Sequence, residues 1–143
     1  MPTQSKLAIM VLAASLAACS AKAPDAGQGA AAAPASPTAA LGERVFNGNC
    51  VPCHQQNGAG IPGVYPSLVA SPVVLGDPAE LARWVVKGQR PPSMPAGRYT
   101  TQMLQFGWMQ PAEAAALLTY MRSNFGNSAS AVDAAAVAQA LGQ

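Results

Sequence analysis

The sequence predicts an all-α domain over residues 41–127, and three local patterns predict it. Asp77-Pro78-Ala79-Glu80 combines an N-cap, a proline at the first helical position and a glutamate at the third, and Gly88 stops the helix after Lys87. Pro111 and Glu113 open another helix in the same way, with Gly126 as its stop. The segment Leu41 to Asn49 shows none of the apolar alternation of a strand.

The N-terminal residues read as an address rather than as structure. Lys6 precedes an apolar run from Leu7 to Ala14, too short to span a bilayer as a helix of about 20 residues. It has the size of a signal-peptide core, which makes residues 1–18 the expected leader. Leu16-Ala17-Ala18-Cys19 resembles the lipobox of bacterial lipoproteins. That resemblance implies cleavage before Cys19, acylation of its thiol and amine, and a mature chain anchored on the periplasmic side of a bacterial membrane. The alternative is a soluble secretory leader that happens to contain a cysteine. Ser20 is not the aspartate of an inner-membrane retention signal, and residue 20 alone does not choose between the two membranes. Residues 19–40, rich in Ala, Pro, Gly and Ser, have too little apolar bulk for a core and are expected to be a lipidated, flexible tether.

Within the domain the chemistry concentrates at Cys50-Val51-Pro52-Cys53-His54. C-x-x-C-H is the signature of covalent c-type haem attachment, and its spacing has a mechanical cause. Residues three and four apart share one face of a helical turn, so Cys50 and Cys53 reach the two vinyl groups of one porphyrin while His54 faces the iron. A thioredoxin-type pair would want a β-α-β surround, which the preceding segment does not offer. A structural zinc site needs four Cys or His ligands, and a simple exported disulfide remains a further alternative. His54 is the single histidine of the chain, so a bis-histidine or peroxidase-like site is not expected.

Residues 41–127 resemble the class I cytochromes c. The resemblance is carried by Gly42, Phe46, Cys50 to Gln55, then Gly58-Ala59-Gly60-Ile61-Pro62-Gly63 and Tyr65-Pro66-Ser67-Leu68. Ser71 to Pro78 and Leu117 to Asn127 look like a narrower group, the small cytochrome c subunits or partners of periplasmic dehydrogenases of the quinoprotein alcohol type. The resemblance implies three to four helices wrapped around one covalent haem. It implies a crossing of the first and last helices near a small residue, for which Gly42 against the Tyr120 region is the candidate, and a proline carbonyl orienting His54, matched here by Pro62. It also implies a distal methionine. Met103, in Met103-Leu104-Gln105-Phe106-Gly107-Trp108, is the first choice from its distance to Pro111, and Met94 in Ser93-Met94-Pro95-Ala96 is the second. Leu104 and Gln105 depart from the family's Met-Pro-Ala. Met109 and Met121 are expected in the core, Trp84 in packing, and Tyr65, Leu68, Phe106 and Trp108 are candidates for the haem pocket.

The function so implied is one-electron transfer with no catalytic residue, from a periplasmic dehydrogenase to a downstream cytochrome or terminal oxidase. A small-ligand haem sensor or haem enzyme with a labile sixth position is the alternative; a structural lipoprotein without cofactor is nearly excluded by the haem motif. Net charge is +2 with no basic run, which gives nucleic-acid binding no support. Residues 128–143 form an Ala-rich tail, expected either as a short helix from Asp133 to Leu141 or as loose chain.

Overall fold

The computed structural model describes residues 36–94, 97–99 and 101–143. The expected leader, Cys19 and most of the expected tether lie outside the described residues. Those residues form six helices: α1 Pro37–Asn49, α2 Val51–His54, α3 Pro72–Leu75, α4 Pro78–Lys87, α5 Pro111–Ser123 and α6 Ala134–Leu141. Among them no strand is formed; Ile61 and Tyr65 make one isolated antiparallel bridge. No helix among the described residues is long and apolar enough to cross a membrane.

The first helix begins four residues before the expected boundary at Leu41. Ser36 accepts from the Ala39 N–H at 3.2 Å and Pro37 follows it, so residues 37–40 are helix and not tether. α4 is built as its caps dictate. Asp77 accepts from Ala79 N–H at 2.7 Å, and Gly88, at φ +68°, returns its N–H to the carbonyls of Arg83 and Trp84. At the start of α5 the Glu113 carboxylate accepts from the Gln110 N–H at 3.0 Å.

α1 and α5 cross closely. A Cβ on Gly42 would stand 2.2 Å from the Ala116 carbonyl oxygen and 2.9 Å from the Tyr120 Cβ, so only glycine lets the two backbones approach this far. Phe46, fully buried, stacks obliquely on Tyr120 and Phe125 with ring centroids 5.3 and 5.0 Å away. Leu117 and Leu118 are fully buried, and Met109 and Met121 join them in the core as expected.

Two polar side chains tie the irregular segments to α5. The buried Asn127 carboxamide donates to the Leu68 and Met121 carbonyls at 3.0 and 2.8 Å and accepts from Ala70 N–H at 2.9 Å. Arg122, also buried, donates to the carbonyls of Val74, Gly76 and Ser130 at 2.7, 2.9 and 3.0 Å. The C-terminal residues are helical and packed. Asp133 caps α6, Val137 and Leu141 are buried against α4 and α5, and the Lys87 ammonium donates to the Leu141 carbonyl.

Gly42→Ala is therefore expected to destabilise the protein by about 1–3 kcal/mol, the usual scale of overpacking. Gly48→Ala, in the same helix with nothing within 4 Å of the added methyl, is expected to stabilise it by about 0.5–1 kcal/mol. Chemical denaturation of the two variants measures both signs.

Candidate haem site

α1 delivers the chain directly into the Cys-x-x-Cys-His turn. The Cys50 N–H donates to the Phe46 carbonyl at 2.8 Å, and the His54 N–H donates to the Cys50 carbonyl at 2.8 Å. Pro52 falls in the first turn of α2, where a missing N–H leaves no helical bond unmade. Both thiols and the imidazole thus sit on one turn. The two thiols are free, Cys50 buried and Cys53 half-buried. After His54 the chain leaves the helix at Gln55, with φ at +63°, and glycines at +69° and +66° (Gly58 and Gly60) turn it back under the imidazole.

The residue that holds His54 is Pro66. Its carbonyl oxygen lies 3.0 Å from Nδ1. A carbonyl only accepts, so Nδ1 carries the proton and Nε2 keeps its lone pair. Among the described residues Nε2 has no hydrogen-bond partner, and His54 borders a cavity. The expected acceptor, Pro62, is displaced by hairpin geometry. Ile61 and Tyr65 pair through N–H···O bonds of 2.9 and 2.8 Å, which puts Pro62 and Gly63 at the exposed corner and Pro66 on the returning leg. The legs lie so close that a Cβ on Gly60 would stand 2.5 Å from the Pro66 carbonyl oxygen.

Two adjoining cavities, of about 550 and 240 Å³, meet at this turn. Cys50, His54, Pro66, Trp84, Met94 and Met103 border both. Tyr65 and Phe106 wall the larger; Leu68, Leu81, Val85, Leu117 and Met121 wall the smaller. Size and apolar lining are those of a cofactor cleft. Trp84 lines the cleft, whereas Trp108 borders neither cavity. It is 58% exposed and meets Phe106 edge-on at 6.4 Å. Both candidate methionines reach the cleft; Met103 also packs on the hydrophobic core, and its loop is anchored by a 3.1 Å bond from Phe106 N–H to the Val85 carbonyl.

Electrostatics separate the possible chemistries of the two thiols. Burial, then the neighbouring Cys53, pushes the Cys50 thiol up to about 12. A disulfide oxidoreductase needs the opposite, a thiol lowered toward thiolate. Among the described residues no three His, Cys, Asp or Glu side chains are grouped to hold a metal by themselves, as a structural zinc would require. A thioether carries no charge, so the same burial does not penalise it. Burial lowers the His54 pKa, against a smaller rise from the Pro66 carbonyl, and so favours the neutral imidazole that binds iron. Two thiols, a neutral imidazole with one free nitrogen and an apolar cleft fit a covalent haem. Pro66, Trp84, Tyr99 and the arginines at the cleft were not singled out for the site by sequence reading; the close Gly60 turn is the one local signal for Pro66.

Comparisons with known proteins agree with this geometry. The sequence model of the family described as cytochrome c matches residues 39–125. One relative, the cytochrome c subunit of alcohol dehydrogenase (quinone) from Gluconobacter oxydans (strain 621H), is 32% identical over 90 residues. That alignment covers 62% of this chain and 19% of the relative, so the chain spans about a fifth of that protein's length.

Gly60→Ala is expected to cost about 1–3 kcal/mol more than Gly63→Ala. Both residues sit at positive φ, but only at Gly60 does the methyl meet the carbonyl that holds His54. Equal thermal unfolding midpoints for the two variants would show that the turn yields without moving Pro66.

Proposed function

The chain belongs to the cytochrome c family, and from that premise we propose that it is a single-haem, lipid-anchored carrier passing one electron at a time from a periplasmic dehydrogenase to a downstream cytochrome or terminal oxidase. Electron transfer with haem c is the family's work. Haem supplies the reversible Fe(III)/Fe(II) couple; holding, orienting and shielding it fall to the chain's own residues. The observation that carries the reading is the His54 imidazole, fixed by Pro66 at one nitrogen and open to an apolar cleft at the other, on the turn that bears Cys50 and Cys53.

In this reading Cys50 and Cys53 would hold the haem through two thioethers, each an addition of S–H across a vinyl group that oxidises nothing. His54 would hold the iron through Nε2, and the Pro66 carbonyl would raise its basicity by accepting from Nδ1–H. Met103 would supply the second protein ligand of the iron, with Met94 as the second choice. A thioether ligand would raise the reduction potential and leave the iron closed to other ligands, which suits a carrier rather than a sensor. Leu68, Leu81 and Val85 keep water from the ring. The dehydrogenase donor is inferred from what the Gluconobacter relative is a subunit of. Acylation of Cys19, which lies outside the described residues, supplies the anchor in this reading, on the periplasmic side of a bacterial membrane.

Mature protein from the exporting cell is expected to weigh more than its polypeptide by one haem besides the acyl groups on Cys19; a mass without the haem increment overturns the proposal. Met103→Ala is expected to abolish the methionine-to-iron charge-transfer band of the oxidised protein, while Met94→Ala keeps it. The reverse pattern assigns Met94. Rapid and complete carbon monoxide binding by the reduced, unsubstituted protein would favour the sensor or enzyme reading instead.

A further inference from the structure

Haem is a dicarboxylate as well as an apolar ring, and the cleft offers one fixed charge for each carboxylate. Of the described residues bordering the larger cavity only Arg90 carries a fixed charge, and of those bordering the smaller only Arg98. Among the described residues no aspartate or glutamate borders either cavity. Both arginines are exposed, so they stand at the rim and not in the apolar depth. Each is placed by a turn: Arg90 follows Gly88, the left-handed stop of α4, and Arg98 follows Gly97, at φ +71°. From Leu81 to Ala112 the sequence contains no acidic residue, so no carboxylate of that stretch competes for the two guanidinium groups.

We propose that Arg90 and Arg98 bind the two haem propionates, one each, and thereby set how the ring is turned within the cleft. The proposal rests on the haem reading of the same site. Propionates reaching the rim of an apolar cleft meet there the opposite charge of the two guanidinium groups, with no carboxylate side chain beside them. A guanidinium meets a carboxylate with two parallel N–H···O bonds, which orients the ring as well as neutralising it. The pairing also acts on the iron. Two neutralised propionates leave little negative charge beside the metal, and exposing one stabilises Fe(III) over Fe(II).

Arg90→Gln and Arg98→Gln in the haem-loaded full chain test this, with the lysine replacements at both positions and Arg44→Gln on exposed α1 as controls. Each glutamine variant is expected to shift the Fe(II)/Fe(III) equilibrium about three- to tenfold toward the oxidised form, tenfold being about 59 mV for one electron. Its propionate bending bands in resonance Raman spectra are expected to move as well. Lysine restores most of the potential but not the band positions, because it keeps the charge and loses the bidentate geometry. Arg44→Gln changes neither. Wild-type potentials and bands in both glutamine variants overturn the pairing, as does an equal shift in Arg44→Gln. If a glutamine variant fails to load haem, loading of its lysine counterpart supports the pairing and failure of both overturns it. A pyridine haemochrome spectrum of the unsubstituted protein separates the two levels. Thioether haem without any shift sinks the arginine pairing alone, and no thioether haem sinks the haem reading beneath it.

Discussion

Everything that positions the site begins where α1 lies against α5 with no side chain between them. Gly42 touches the Ala116 carbonyl, and this contact sets the height and angle at which α1 runs on into Cys50. Eight residues separate Gly42 from Cys50, about 12 Å of helix at 1.5 Å per residue, too short and too stiff to absorb a displaced crossing. Phe46, one turn before Cys50, is clamped between Tyr120 and Phe125 and repeats the constraint closer to the site. The thiols therefore stand where α5 puts them. α5 also supplies Leu117 and Met121 to the wall of the smaller cavity, so anchor and wall share one rigid element.

The irregular part of the chain is held to the same helix. Asn127 joins the Leu68–Ala70 strand of loop to the end of α5, and Leu68 N–H in turn donates to the Gly58 carbonyl at 2.8 Å. Pro66 lies inside that closed circuit. Its carbonyl faces His54 because the loop is fastened on both sides of it, at Ile61–Tyr65 and at Leu68. A backbone acceptor placed in this way cannot be altered by substituting its own side chain, and the imidazole's orientation becomes a property of the loop as a whole.

Reading the sequence alone reaches some of this and misses some, for reasons that differ by element. The Cys50–His54 turn, the caps of α4 and α5 and the Gly42 crossing are legible because each rests on local chemistry: a spacing of three and four, a capping side chain, a missing Cβ. The start of α1 is less legible. Ser36-Pro37 is a good helix opening, but it is embedded in an Ala/Pro stretch that looks disordered by composition. α6 is legible only as one of two alternatives for a similar reason, since Val137 and Leu141 are two apolar side chains in a run of alanines with little periodic contrast. Pro62 and Pro66 are the same residue type four positions apart, and which carbonyl faces the ring nitrogen depends on a hairpin whose one local signal is the glycine at position 60. Met94 and Met103 both border the cleft, and Met103 also packs on the hydrophobic core.

The partners of Arg122 have a consequence for how this domain meets its solvent. All three groups it donates to are carbonyl oxygens, dipoles without net charge, and the side chain is buried. Dissolved ions weaken attraction between exposed charges within a Debye length of about 8–10 Å, but they have little purchase on a shielded charge–dipole contact. The cohesion of the helical frame is thus insulated from the saltiness of its surroundings. Any long-range attraction that draws another molecule toward the arginine-bearing rim is not, so brine and fresh water leave the architecture alike while changing how quickly it is found.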